Sequence, residues 1–250
     1  MSNTTSTPFV SLCTITNNRQ HLLPRLMDCI QTQDYPSQRM EWVIYDDSRS
    51  SLDCRLLNNE SGINLNYHWS NTKVSLGTKR NKSHQLCQGD IIVILDDDDF
   101  YPSTRVSHAI ETLTKTDKLV AGCSSTLILY LDIGELWING PYGQGFSLAN
   151  SMAFKKEVLN TTQCDPESTI NEEQSFLKNY TLPMAQLDPT KTIVCISHGL
   201  NTANSASLRI QQQNGEANMN LRPFQYTSQS QETAIKELCR LYRELHETQF

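Results

Sequence analysis

Short apolar runs alternate with helical segments through the first 115 residues of the chain. Mostly apolar runs occupy 9–15, 41–45 and 91–95, and positions 65, 67 and 69 are apolar between polar neighbours. Both patterns are typical of strands. Between the first two runs, apolar residues recur at helical spacing from Leu22 to Ile30. Strands that alternate with helices predict a mostly parallel sheet flanked by helices.

The pattern changes in the second half of the chain. A helix is expected after Pro102, and the regular alternation then ends. The apolar runs that follow predict strands at 119–123, 126–131, 147–154 and 192–196, with a Gly-rich loop at 140–145. Such a series is typical of a mixed, partly antiparallel portion.

The C-terminal segment divides into a polar stretch and a helix. Residues 203–230 are rich in Asn, Gln and Ser, which predicts an extended or mobile linker. Residues 231–247 place an apolar stripe on one helical face, which predicts docking on the domain or on a second subunit, and so a possible homodimer. The sequence thus predicts a disordered lead at 1–8, one α/β domain at 9–202 with halves at 9–115 and 116–202, and an extension at 203–250.

Composition narrows the partners and the compartment. The net charge of −6 disfavours a phosphate-backbone surface, so no nucleic acid is expected as the main ligand. No apolar stretch approaches 18 residues, so no transmembrane segment is expected. The eight cysteines are scattered singly and the first eight residues lack the features of a signal peptide, which predicts a reducing, cytoplasmic location in a cell or a host cell.

The most unusual feature is the run of four aspartates at Asp96–Asp99, directly after an apolar strand. Two carboxylates about 6 Å apart repel by roughly 3 kcal/mol at an effective dielectric constant near 20, so the run needs solvent, protons or a cation. An Asp-x-Asp pair suits Mg²⁺ or Mn²⁺ and leaves coordination positions for diphosphate oxygens. A solvated acidic turn is the alternative. Polar residues also follow the other strands, at 16–19 and 46–48, and parallel strands would bring all three sets to one crevice.

These motifs together resemble a known family. The strand followed by Thr-x-Asn-Arg, the segment Glu-x-Val-Ile-Tyr-Asp-Asp-Ser at 41–48, Gly-Thr-Lys-Arg-Asn at 77–81 and the aspartate run at 96–99 resemble the GT-A glycosyltransferases of the family-2 type. The resemblance implies a Rossmann-like sheet with a nucleotide-sugar-binding half at 9–115 and an acceptor half at 116–202. It is detailed over 8–115 and looser up to 202.

The resemblance assigns roles on the donor side. Asp47 would hold the uracil or ribose, Thr16 and Arg19 would line the base pocket, and Arg80 would lie near the diphosphate. Asp98 would bind the metal and Asp96 or Asp97 the ribose and sugar, with the register open by one residue. The alternatives are a turn or helix cap for one of Asp46 and Asp47, and exposed helix charges for Lys79 and Lys82.

On the acceptor side the resemblance points to Glu173, which stands where inverting members place a general base. A solvated pair of glutamates at a helix start is the alternative, with Asp165 and Glu172 as the next candidate bases. His198 follows a strand and could complete the metal shell or touch the diphosphate, against the alternative of an ordinary surface histidine.

The resemblance implies a Mn²⁺- or Mg²⁺-dependent glycosyltransferase that moves a sugar from a nucleoside-diphosphate donor, a UDP-sugar, to a glycan or glycoconjugate hydroxyl with inversion. A nucleotidyltransferase is an alternative, although no Gly-rich, basic loop follows the first strand. A non-catalytic metal-dependent nucleotide- or carbohydrate-binding module is another, and the role of Glu173 discriminates it from an enzyme.

Overall fold

A seven-stranded sheet forms the centre of the protein. The computed structural model describes residues 7–198, 205–216 and 220–247. The strands lie in the order β3-β2-β1-β4-β8-β5-β9, of which β3, β2, β1 and β4 are parallel and β8 is antiparallel to both of its neighbours. Their bounds are Val10–Thr16 (β1), Met40–Asp46 (β2), Asn64–Trp69 (β3), Ile91–Ile94 (β4), Val120–Gly122 (β5), Ala153–Lys155 (β8) and Met184–Gln186 (β9).

Three helices cover this sheet: α1 (Leu23–Gln31), α2 (Leu76–Leu86) and α3 (Arg105–Thr114). The apolar stripe of α1 packs with side chains of β1, β2, β4 and α3 in the largest hydrophobic cluster. Because β1 pairs in parallel register with both β2 and β4, the polar residues that follow these strands meet at one edge of the sheet. The sequence-based prediction of the fold class is confirmed.

A smaller sheet lies beside the first, in the order β10-β6-β7-β11. Its strands are β6 (Thr126–Tyr130), β7 (Glu135–Asn139), β10 (Val194–Ser197) and β11 (Leu221–Pro223). The remaining helices are α4 (Glu172–Phe176), α5 (Ser205–Gln213) and α6 (Gln229–Glu247). Leu238 and Tyr242 of α6 pack into a cluster with β6, β7 and β10. The apolar stripe of α6 therefore docks on its own domain, and a homodimer through this helix stays a prediction.

Two sequence-based expectations are corrected. The strand expected at 147–154 is a 3₁₀ turn at Ala149–Ser151 followed by β8. Ser147 and Ser151 hydrogen-bond to each other at 2.8 Å and both to the Leu148 carbonyl at 3.0 Å, so local side-chain bonds compete with a strand there.

The second correction concerns 203–230, which contains α5 and β11 where the composition predicts an extended or mobile linker. Buried Arg209 of α5 stacks over the Tyr130 ring at 4.7 Å and pairs with Asp132, while β11 pairs with β7. One buried cation and a short strand fix the segment, and neither shows in its average composition. Of this range, 203, 204 and 217–219 lie outside the described residues, as do 1–6 of the expected lead.

Candidate active site

The residue set at the end of β1 contacts the aspartate run at the end of β4. The Thr16 hydroxyl donates to Asp97 Oδ2 at 2.6 Å. The Arg19 guanidinium lies between two carboxylates, with Nη2 2.9 Å from Asp97 Oδ1 and Nη1 2.6 Å from Asp98 Oδ2. Thr16 thus hydrogen-bonds to the acidic run and Arg19 places one positive charge between two of its carboxylates. Their predicted contact with a nucleobase stays a prediction.

The four aspartates have different surroundings. Among the aspartates of the run that form ion pairs, Asp96 has the most exposed side chain. Burial still raises its pKa, although the charge of Arg80 opposes this. Burial raises the pKa of Asp97 to about 7, although the charge of Arg19 opposes this. For Asp98, burial also acts to raise the pKa, but a hydrogen bond from His198 and the charge of Arg19 outweigh it and the pKa is lowered. Asp98 is therefore the member of the run that is best held as a carboxylate.

Asp99 is a structural residue. Its carboxylate accepts from Asn150 Nδ2 at 2.7 Å and from the Ile196 N–H at 3.0 Å, and burial raises its pKa well above the usual range. Its backbone carbonyl accepts from the Tyr242 hydroxyl of α6 at 2.9 Å. The sequence does not show this role, because the partners come from distant parts of the chain.

The side chains of Asp98 and His198 could serve together as ligands of a divalent cation such as Mg²⁺ or Mn²⁺. Asp98 Oδ2 lies 3.4 Å from His198 Nε2. Among the described residues, no group of three or more His, Cys, Asp and Glu side chains converges as a metal cage. Mg²⁺ commonly takes only one or two protein ligands and completes its shell with water and phosphate oxygens. A carboxylate beside an imidazole is therefore a sufficient protein ligand set for such a cation when a diphosphate supplies further oxygen ligands.

Asp47 is more enclosed than the sequence indicates. Its carboxylate pairs with Lys79 Nζ and accepts from Asn17 Nδ2 at 2.9 Å and from the Val74 N–H at 3.0 Å. The Lys79 side chain is only 8% exposed, and burial lowers its pKa. The alternative of an exposed charge is therefore wrong for Lys79, because this face of α2 packs on β1 and β2. The contact of Asp47 with a nucleoside stays a prediction.

Arg80 connects the donor and acceptor sides. Its Nη2 lies 2.6 Å from Asp96 Oδ1, and its Nε lies 2.8 Å from Glu172 Oε1 at the start of α4. The guanidinium is buried, and the nearby charges of Asp96 and Glu172 outweigh burial and raise its pKa. This ion-pair bridge gives Glu172 a role that the sequence does not indicate.

A cavity of about 430 Å³ lies between the two sides. Its donor wall includes Arg19, Arg80, Asp96 and Asp97, and its acceptor wall is built by 148–150 and 169–173. Glu173 belongs to the acceptor wall and is only 5% exposed. Burial raises the pKa of Glu173 to about 7. The charge of Glu172 adds to this rise, and a hydrogen bond from the backbone of Glu173 itself opposes it.

The structure thus brings most of the predicted site residues to one place. Arg19, Arg80, Asp96, Asp97 and Glu173 line the cavity, and Thr16, Asp98 and His198 are joined to them by direct contacts. Asp47 is not among the residues that line the cavity. It is paired with Lys79, whose Nζ lies 3.5 Å from the Thr16 carbonyl oxygen. No helix among the described residues has the length and apolar character needed to cross a membrane.

Comparisons with known proteins agree with this architecture. The sequence model described as glycosyl transferase family 2 matches residues 11–132. No curated protein matches the chain. Among solved structures, residues 1–349 of TarS from S. aureus share the fold with a TM-score of 0.60 and 16% sequence identity, over 75% of this chain and 60% of that one.

Two further structures carry nucleotide sugars. The mannosyltransferase PcManGT from Pyrobaculum calidifontis, in complex with GDP-Man and Mn²⁺, matches with a TM-score of 0.60 and 18% identity over 83% of this chain and 61% of that one. TarS 1–349 with UDP-GlcNAc matches with a TM-score of 0.60 and 18% identity, over 79% and 60%. The chain spans about 60% of the length of these proteins. The chain therefore matches glycosyl transferase family 2 over residues 11–132 and shares the fold of these glycosyltransferase structures.

Proposed function

We propose that the protein is a divalent-metal-dependent glycosyltransferase. It transfers the sugar of a UDP-sugar to a hydroxyl of a glycan or glycoconjugate, with inversion at the anomeric carbon. The observation that carries this proposal is the shared cavity: Glu173 lines it opposite Asp96 and Asp97. A transferase of this type needs a carboxylate that can take the proton of the acceptor and a charged wall that holds the donor, and both line this cavity.

The donor wall would hold the nucleotide and its diphosphate. Asp98 and His198 would be the protein ligands of Mn²⁺ or Mg²⁺, which supplies positive charge to the leaving diphosphate when bound. Arg80 adds a permanent cation on the same wall, and Arg19 can exchange its carboxylate partners for phosphate oxygens because it is still 27% exposed. Asp47, Asp96 and Asp97 would contact the nucleoside and the sugar.

Glu173 is the best-placed general base. Glu172 is occupied by Arg80 at 2.8 Å, and Asp165 is exposed and accepts from the Glu167 N–H at 3.0 Å. With a pKa of about 7, Glu173 is basic enough to take a proton and is still substantially ionised at neutral pH. It would remove the hydroxyl proton as the acceptor oxygen bonds to the anomeric carbon and the bond from that carbon to the diphosphate breaks on the opposite side, which inverts the configuration.

The choice of UDP rests on the resemblance of Asp47 to the nucleoside-binding acid and on TarS, which has been crystallised with UDP and with UDP-GlcNAc. PcManGT was crystallised with GDP-Man, so a guanine nucleotide is the direct competitor. The test incubates the protein and Mn²⁺ with UDP-, GDP-, ADP- and CMP-sugars and measures heat stabilisation and release of the nucleotide. We expect both responses with UDP-sugars and their loss with EDTA. Stabilisation by GDP-sugars alone would contradict the donor assignment, and no response to any nucleotide sugar would contradict the function.

A further inference from the structure

Three aromatic side chains form a cluster on the acceptor side that the proposed chemistry does not use. The rings of Phe146 and Tyr180 are stacked with centroids 5.1 Å apart and planes inclined by 28°. Tyr142 packs on Phe146 at 5.0 Å, and 44% of its surface is exposed. The acceptor-side cluster thus consists of Tyr142, Phe146 and Tyr180. Tyr142 is exposed whereas Phe146 and Tyr180 are half-buried, so the three rings form a partly open aromatic surface of the kind found at binding sites.

The backbone under Tyr180 is held in an unusual conformation. Lys178, Asn179 and Tyr180 are consecutive non-glycine residues with φ values of 51°, 55° and 61°. Left-handed backbone costs roughly 1–2 kcal/mol for each such residue and rarely occurs in runs. It persists only where surrounding contacts enforce it, and such conformations concentrate at functional sites. The turn directs the Tyr180 ring onto Phe146.

The Gly-rich loop is fitted to this turn. A Cβ atom on Gly145 would lie 2.2 Å from the Tyr180 carbonyl oxygen, so only glycine allows the two segments to approach. Gln186 Nε2 fixes the loop further by donating to the Gln144 carbonyl at 2.8 Å and to the Phe146 carbonyl at 3.3 Å. The cluster is therefore a built surface and not a chance contact between loose loops.

The cluster is close in the chain to the residues that form the acceptor wall of the cavity. The left-handed turn begins two residues after α4 ends, and α4 carries Glu173. Burial raises the pKa of the Tyr180 phenol, and the charge of Glu173 adds to this rise. Residues 148–150, which follow Phe146 closely in the chain, line the cavity.

We propose that the acceptor-side cluster is a saccharide subsite, so that the acceptor hydroxyl is presented to Glu173 by a sugar ring that stacks on these aromatic side chains. This inference rests on the proposed function. The apolar C–H face of a pyranose packs on an aromatic ring, and its hydroxyls need polar partners at the ring edge. The cluster supplies both, because two of its members carry hydroxyls and the Tyr142 hydroxyl bonds to Asn139 Oδ1. An alkyl chain has no polar group that could hydrogen-bond to these hydroxyls.

The experiment uses the full chain with Mn²⁺ and the UDP-sugar that shows the strongest response in the donor panel. Transfer is measured to p-nitrophenyl glycosides and free disaccharides of glucose, galactose, mannose, N-acetylglucosamine and rhamnose, and to glycerol and serine as non-saccharide alcohols. Donor hydrolysis without an acceptor is recorded in the same preparations. Failure of the donor arm would overturn the proposed function, whereas a working donor arm isolates the question of the acceptor.

The variants are Tyr142→Ala and Tyr180→Ala, with Tyr226→Ala as the matched control. Tyr226 packs edge-on against Phe224 at 5.8 Å and belongs to the cluster under α6, away from the cavity. We expect transfer to saccharides, with a KM about tenfold higher or more in Tyr142→Ala and Tyr180→Ala but not in the control. Tyr142→Phe should keep most of the affinity because it keeps the ring.

Three results would overturn the inference. The first is transfer to glycerol or serine but to no saccharide. The second is an equal saccharide KM in Tyr142→Ala and Tyr226→Ala. The third is a saccharide KM that rises in Tyr142→Ala by the same factor as the dissociation constant of the UDP-sugar. Loss of an acceptor subsite should raise the saccharide KM much more than it weakens binding of the UDP-sugar. Tyr142 is largely exposed, so this variant is expected to fold, and a thermal melt verifies it.

Discussion

The two walls of the cavity hold their acidic residues in opposite ways. On the donor wall nearly every carboxylate has a cationic partner: Asp47 has Lys79, Asp96 has Arg80, and Asp97 and Asp98 share Arg19. On the acceptor wall Glu172 is paired with Arg80, but its neighbour Glu173 is buried with a raised pKa. The acids of the donor wall thus lie in ion pairs, as Glu172 does, whereas burial dominates the surroundings of Glu173. Adjacent acids of the same type therefore acquire different chemistry from their surroundings.

Glu173→Gln should produce the largest effect, because it removes the proton-accepting group and keeps the shape of the side chain. We expect the transfer rate to fall by about 10²–10⁴, while the dissociation constant for the UDP-sugar changes little. The measurement is transfer rate and donor affinity in one preparation, with exposed Glu157→Gln as the control. Equal losses of rate and donor affinity would make Glu173 a binding residue, and no loss would place the base elsewhere.

Asp47→Asn tests the donor wall through its stability. The substitution leaves the buried Lys79 ammonium without its counter-ion, and breaking a buried pair commonly costs about 3–5 kcal/mol. Urea unfolding measures this loss. Adding Lys79→Met should restore most of the stability but not the affinity for UDP or uridine, if Asp47 contacts the nucleoside. Recovery of both by the double variant would show that Asp47 acts only through folding.

Asp98→Ala should separate cation binding from the fold. We expect the Mn²⁺-dependent affinity for UDP to fall by about 100-fold or more, since even residues behind a metal ligand commonly contribute 10–100-fold. Calorimetry with UDP in the presence and absence of Mn²⁺ measures this dependence. Asp53→Ala, which removes an exposed acid paired with Arg55, is the control. Unchanged affinity in Asp98→Ala would move the metal to another aspartate or remove it from the mechanism.

How far the sequence predicts the structure differs between the same two regions. In the parallel half, the strand ends and their polar residues follow from local periodicity, because the register of parallel strands alone brings Thr16 beside Asp46. The partners of the acids do not follow, since Arg80 and Glu172 are 92 positions apart in the chain. The acceptor half resists prediction further: β9 and β11 have only three residues each, and the left-handed turn at 178–180 contains no glycine. Tertiary contacts decide such segments, and local propensity does not report them.

The pH dependence of transfer should include the titration of Glu173 on the acceptor wall and of Asp97 on the donor wall, because burial raises the pKa of each to about 7. Glu173 must be ionised to act as a base, so kcat should rise with pH and level off above about 7, falling about tenfold for each pH unit below that value. The stability effect has the opposite sign. Because the pKa of Glu173 is raised from 4.5 in the folded protein, its contribution to stability is complete below pH 4.5 and is lost as the pH rises through about 7. Glu173→Gln should remove the contribution of Glu173 to both slopes and leave that of Asp97. A kcat profile of the unchanged protein that stays level between pH 5 and 8 would contradict the role of Glu173.

Tyr242→Phe should give the smallest effect and shows whether α6 supports the donor wall. The Tyr242 hydroxyl donates to the backbone carbonyl of Asp99, next to Asp98, so its loss leaves a buried carbonyl unpaired and loosens the end of the aspartate run. We expect a loss of about 1 kcal/mol in the free energy of unfolding and a several-fold weaker Mn²⁺-dependent affinity for UDP.

Tyr35→Phe is the matched control for this last variant. The Tyr35 hydroxyl donates to the Pro8 carbonyl at 2.6 Å, so the same kind of bond is removed beside the first residues of β1, away from the aspartate run. Urea unfolding and calorimetry should find similar losses of stability in the two variants, but weaker UDP binding only in Tyr242→Phe. If both variants bind UDP equally well, α6 stabilises the fold without positioning Asp98, and the donor wall is set by the parallel strands and their ion pairs alone.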